Sequence, residues 1–162
     1  MAYSLKRIAL RSIPYLFSDS VGLFLARRWT KGFMEKPSEM MADEFLELLL
    51  SGMDLAFCLS RGYRENIKDF EGRYLFVTSD GEVAAGATFK DGDMEVHKEA
   101  IDNWDIKVTF KDADAFWEFI FSKNQDILNS ILKNDVEVDG NLNYLYKFGF
   151  MARDLGYRLG VG

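Results

Sequence analysis

A single histidine, a single cysteine and two prolines in 162 residues close off several chemistries at once. His97 has no second histidine or cysteine at metal-ligand spacing, which argues against a zinc site. A serine triad would need His97 as its base, and no Gly-x-Ser-x-Gly elbow is present to partner it. Cys58 stands alone, so an internal disulfide framework is excluded and a reducing cytoplasm is the expected compartment. Within DLAFCLS it reads as a small buried hydrophobe, not a nucleophile. The stretch from Gly81 to Gly86 has neither a Walker lysine nor the G-x-G-x-x-G form, which removes nucleotide binding. Uninterrupted apolar runs are only a few residues long, far short of the roughly twenty that cross a bilayer. Pro14 and Asp19 interrupt any signal-type apolar segment. An aromatic content of 15% argues against disorder, and the length suits one compact core.

Charge is distributed unevenly. Residues 1–36 carry seven basic side chains against Asp19 and Glu35, a balance of +5, so with a net charge of −6 the remainder carries −11. An acidic body repels nucleic-acid phosphates, and nucleic acid is not an expected partner. The basic arm, residues 1–37, is amphipathic: Leu5, Ile8, Ala9, Ile13, Leu16 and Phe17 recur at helical spacing, and VGLFLARRWTKGF sets Arg27, Arg28 and Lys31 beside Leu25, Trp29 and Phe33. Arg7, Arg11, Arg27, Arg28, Trp29 and Lys31 are the residues expected to meet an anionic membrane surface. Packing of the arm on its own domain or on a second subunit is the competing reading of the same pattern.

The second unit, residues 38–162, begins after Lys36-Pro37, with Ser38 as the expected cap of a helix through EFLELLLSGMDLAFCLS. Its apolar stripe is read as Phe45, Leu48, Leu49, Met53, Ala56 and Leu59. GRYLFVTS and EVAAGATFK form a hairpin with Asp80-Gly81 as a two-residue turn, and MEVHKEAI is a third strand. His97 is expected exposed on it. Ala84, Ala85, Gly86 and Ala87 withhold volume from the sheet, either for a ligand or for close helix packing. Alternation buries Ile106, Val108 and Phe110 in DIKVTFK, and Val136 and Val138 in VEVDG, turning Asp135, Glu137 and Asp139 to water. Asp112 or Asp114 opens the DAFWEFIF helix, Asn124 the next, and Asn141 the last. Arg73 pairs with Asp69, with Glu71 or with a lipid head group.

The helices after DIKVTFK carry more large apolar side chains than one packing seam needs, among them Phe116, Trp117, Phe119, Phe121, Ile131, Leu142, Tyr146 and Phe150. Such a layer over-fills a core or lines a space for an apolar guest. The segments Val108 to Lys111, Asp114 to Phe119, and Val136 to Leu145 with Gly140-Asn141 resemble the sterol carrier protein type 2 family. FEGRYLFVTSDGEV, residues 70–83, looks like the opening hairpin of the accessory lipid-binding proteins of bacterial ubiquinone biosynthesis. The resemblance covers residues 42–155 and departs from the quinone-pathway branch at the end, where GYRLGVG stands in place of a longer helix.

The resemblance implies an α+β fold: a sheet of about five strands covered on one face by helices, with an apolar tunnel between. It implies a non-enzymatic carrier of an acyl, sterol-like or polyprenyl-quinone lipid, without metal or cofactor, presenting its ligand to pathway enzymes at the inner face of the cell membrane. The residues expected to line the tunnel are Leu75, Val77, Val108 and Phe110 from strands, with Phe116, Phe119, Ile120, Leu128, Ile131, Leu132, Leu142, Leu145 and Phe148 from helices. The alternative is a ligand-free scaffold module whose apolar groove is covered by its own arm or by a homodimer partner.

Overall fold

The computed structural model describes residues 41–121 and 127–159. The residues singled out in the arm (Arg7, Arg11, Arg27, Arg28, Trp29 and Lys31), together with the caps Ser38 and Asn124, lie outside these. So do the side chains of Trp117, Ile120 and Phe121.

The first described helix, α1 (Ala42–Leu59), follows Met41, whose side chain makes no capping hydrogen bond. Its inward face is Phe45, Leu46, Leu50, Met53, Ala56 and Phe57. Leu48, Leu49 and Leu59 are only half-buried, so the stripe is turned from the one read in the sequence. The run of apolar residues at Leu48, Leu49 and Leu50 fits either register, and the sheet beneath selects between them. Cys58 is likewise half-buried. Ser60 caps the short α2 (Arg61–Arg64) by accepting from the Tyr63 N–H at 3.1 Å, and a 3-10 turn, Glu65–Ile67, leads to the sheet.

The sheet has five strands: β1 (Gly72–Thr78), β2 (Ala84–Lys90), β3 (Asp93–His97), β4 (Ile106–Phe110) and β5 (Val136–Gly140). Their spatial order is β3-β2-β1-β4-β5. All pairs are antiparallel except β1 with β4, which run parallel. Helices α3 (Ala113–Phe121) and α4 (Ile127–Leu132) lie between β4 and β5, and α5 (Leu142–Leu159) follows β5.

The β1–β2 hairpin forms, but not through a two-residue Asp80-Gly81 turn. Residues 79–83 make a longer loop, because Val83 folds inward and its N–H donates to Thr78 Oγ1 at 3.0 Å. The tight turn is Asp91-Gly92, where both residues have positive φ (54° and 70°) and Lys90 faces Asp93. β3 and β4 are then far apart in the sheet, and the connection between them crosses the face opposite α1. Gly86 admits it there: a Cβ at that position would lie 3.3 Å from the Ile101 side chain. The flanking Ala85 and Ala87 point the other way, into the core on the side where α1 packs. The small residues therefore serve close packing on both faces. On the crossed face His97 is half-buried, with Nε2 2.9 Å from Thr88 Oγ1, and is not the free surface histidine expected.

Candidate functional site

Period-two alternation puts Tyr74 and Phe76 of β1 on the face that the helices cover, in the cluster with Ile106, Val108, Phe110 and Val136. Leu75 and Val77 consequently face the other way. Because GRYLFVT is apolar at four successive positions from Tyr74 to Val77, its inward set cannot be read from alternation alone, and Tyr74 and Phe76 were the residues missed. Val108, Phe110, Phe116, Leu145 and Phe148 are buried together in that core. Phe110 meets Phe116 and Phe119 edge-on, with ring centroids 5.2 and 5.5 Å apart, and Phe148 lies 4.9 Å from Phe76. Phe119 and Ile131 are half-buried against the cluster, as is Val138. Leu128, Leu132 and Leu142 are exposed. The structure thus gathers part of the expected set, turns two strand residues away and leaves three leucines at the surface.

Asp112 caps α3 by accepting the Ala115 N–H at 2.8 Å, and Asn141 starts α5 by accepting the Asn143 N–H at 2.9 Å. The course of α5 is fixed by two buried tyrosines that the sequence did not single out. Tyr63 Oη donates to the Met151 carbonyl and Tyr74 Oη to the Tyr144 carbonyl, each at 2.8 Å. On one flank of α5, Asp154 accepts from Asn66, and Arg158 donates to the Gly62 carbonyl, so that flank closes against α2 and the 3-10 turn.

The opposite flank carries Gly149, Ala152 and Gly156, and a Cβ built on either glycine meets nothing within 4 Å. By strand order this flank looks toward β4 and β5, where α3 packs on β4 and α4 on β5. It is the same side as the half-buried Phe119, Ile131 and Val138. Bare helix surface at two glycines thus adjoins half-buried apolar side chains.

A concavity of about 570 Å3 lies at the closed flank. Glu65, Asn66, Asp69, Phe70, Glu71, Asn143, Tyr144 and Lys147 line it, and it is open to solvent. Beside it Arg73 grips Asp105 with Nε–Oδ2 and Nη2–Oδ1 distances of 3.0 and 2.9 Å, in place of the expected Asp69 or Glu71. The hydrogen bonds from Arg73 hold the Asp105 carboxyl below its ordinary range. Among the described residues no group of three or more His, Cys, Asp or Glu side chains is placed to hold a metal ion, and no helix is long and apolar enough to cross a membrane.

The class defined by these features is an α+β domain: a mixed five-stranded sheet with one face under helices. Several solved structures are similar to the chain, and three illustrate them. One is described as a UbiJ-SCP2 ubiquinone synthesis protein (14% identity, 70% of this chain and 90% of that chain, TM-score 0.48). The others are sterol carrier protein domain 2 of Helicoverpa armigera (15%, 70% and 87%, TM-score 0.49) and the apo form of sterol carrier protein 2 from Yarrowia lipolytica (15%, 72% and 88%, TM-score 0.48). Their names agree with the resemblance in the sequence. At these TM-scores the fold class rests on the strand order and register of the chain itself. No family profile matches the chain, and no curated protein does.

Proposed function

We propose that the domain carries a hydrophobic lipid, without transforming it, between the sheet and α3, α4 and α5. The observation that carries this reading is the open flank of α5 at Gly149 and Gly156, beside apolar side chains that the core leaves half-buried. A lipid tail lying there exchanges water for Phe119, Ile131 and Val138. At roughly 25 cal/mol per Å2, covering about 200 Å2 of tail supplies about 5 kcal/mol with no specific polar contact. Such a site tolerates many tails and chooses chiefly by length and width. Acyl, sterol-like and polyprenyl-quinone precursors all belong to its ligand class. The resemblance to quinone-pathway accessory proteins favours the last, with membrane-associated enzymes as recipients.

Mass spectrometry of an organic extract, run beside native mass spectra of the same sample, tests the proposal. A lipid recovered at near one copy per chain is expected. Gly149→Trp, which fills the flank, is expected to lower recovery and uptake of a fluorescent fatty-acid probe severalfold while leaving the circular dichroism spectrum unchanged. An empty wild-type protein that also takes up no probe would overturn the carrier reading and favour a ligand-free scaffold.

A further inference from the structure

Helix α5 has a second apolar face that the core does not use. Leu142, Tyr146, Phe150 and Tyr157 are 36%, 48%, 53% and 67% exposed. At about 3.6 residues per turn they fall within about a quarter of the helix circumference, in a stripe about 22 Å long. Arg153 is exposed within the same arc, and Lys147 on its shoulder stands 5.9 Å from the Phe150 ring centroid. No carboxylate lies on that arc. The one acidic residue of the helix, Asp154, sits on the closed flank and is bound by Arg158 and Asn66. In a chain of net charge −6, this helix carries three basic side chains against one acidic.

We infer that this stripe docks the domain on an anionic lipid surface, extending the carrier reading by naming the face that meets the membrane. Tyr146, Phe150 and Tyr157 lie at head-group depth, where an aromatic ring keeps an apolar body and, for tyrosine, a wet hydroxyl. Arg153 meets lipid phosphate, to which guanidinium donates two parallel hydrogen bonds. A second copy of the chain is a poorer occupant. Two such stripes would bring basic and apolar side chains together without a carboxylate and bury Arg153 with no counter-charge. An anionic head group supplies that charge, and the rest of the acidic body is repelled from the surface, which orients the domain.

The test uses the full chain with Cys58→Ser and a nitrobenzoxadiazole dye on Phe150→Cys, mixed with phosphatidylglycerol/phosphatidylcholine vesicles or with phosphatidylcholine alone. Emission is expected to rise with the anionic vesicles only, and Arg153→Glu is expected to weaken the response about tenfold. Dye at Glu95→Cys, on the opposite face of the sheet, stays silent. Tyr157→Cys provides an independent position in the same stripe. Silent dyes at 150 and 157 while the protein still co-sediments with vesicles would overturn the inference, placing contact elsewhere on the chain. Emission that rises with protein concentration in the absence of vesicles would overturn it in favour of self-association. Lipid recovered by organic extraction is unaffected by Arg153→Glu, so loss of docking and loss of the carrier site are read separately.

Discussion

Tyr63 and Tyr74 place phenol groups where a phenylalanine would pack as well but bond nothing. Burial pushes both hydroxyls far above their ordinary pKa, so they remain donors to the carbonyls of α5 throughout the physiological range. Neither residue announced this in the sequence, because a tyrosine's partner is set by which helix crosses above it. Arg73 was legible as an ion-pairing residue and its partner was not: Asp105 lies 32 positions away and arrives only through the parallel pairing of β1 with β4. The Asp105 carboxyl titrates below its unfolded value of about 3.9, so its stabilisation is fully present above that pH and is lost as pH falls through and below it. Urea denaturation of wild type and Asp105→Asn should therefore differ at about pH 7, with a difference that shrinks steadily as the pH falls below about 4. A difference that persists unchanged at low pH would exclude the carboxylate as its source.

Elements were most readable where one face alternates cleanly. β4 and β5 have their expected inward residues because charged or polar side chains separate the apolar ones. α1 and β1 were misread in register for the opposite reason, since both contain consecutive large apolar residues and period alone cannot orient them. The hairpin turns show the same limit: Asp80-Gly81 and Asp91-Gly92 are equally good turn dipeptides, and the inward pull on Val83 decides which one closes tightly. In α5 two glycines sit within a helix, with open space where a side chain would go. Gly149→Ala and Gly156→Ala should each stabilise the protein by about 0.5–1 kcal/mol in chemical denaturation, as expected for helical glycines without steric need. Destabilisation instead would show that another part of the chain or a ligand occupies that space closely.

Across the whole molecule, the aromatic cluster links α1, the sheet, α3 and α5 into one core, so a ligand lying beside α5 is coupled to global unfolding. Delipidated protein should melt in a single transition whose midpoint rises with added fatty acid. Linkage gives about 2.7 kcal/mol of stabilisation at a hundredfold excess over the dissociation constant. A midpoint indifferent to ligand in a protein that demonstrably binds probe would place the site on a locally unfolding segment instead of the shared core. Strand order is the other molecular-scale property: the connection from β3 to β4 crosses the sheet because Gly86 leaves room for Ile101.

The sequence alone determined the class of the longer elements, the α+β character, the inward faces of β4 and β5, and the cap at Asn141, and it narrowed the cap of α3 to Asp112 or Asp114. Those follow from spacing and from hydrogen bonds between near neighbours, which a short stretch of chain contains in full. The tertiary structure decided the registers of α1 and β1, the partner of Arg73, the open flank at Gly149 and Gly156, and the outward stripe from Leu142 to Tyr157. Each of these depends on what stands opposite a residue after the chain has crossed itself. An apolar side chain looks the same in sequence whether it faces core, ligand or membrane, and only its neighbours in space distinguish the three.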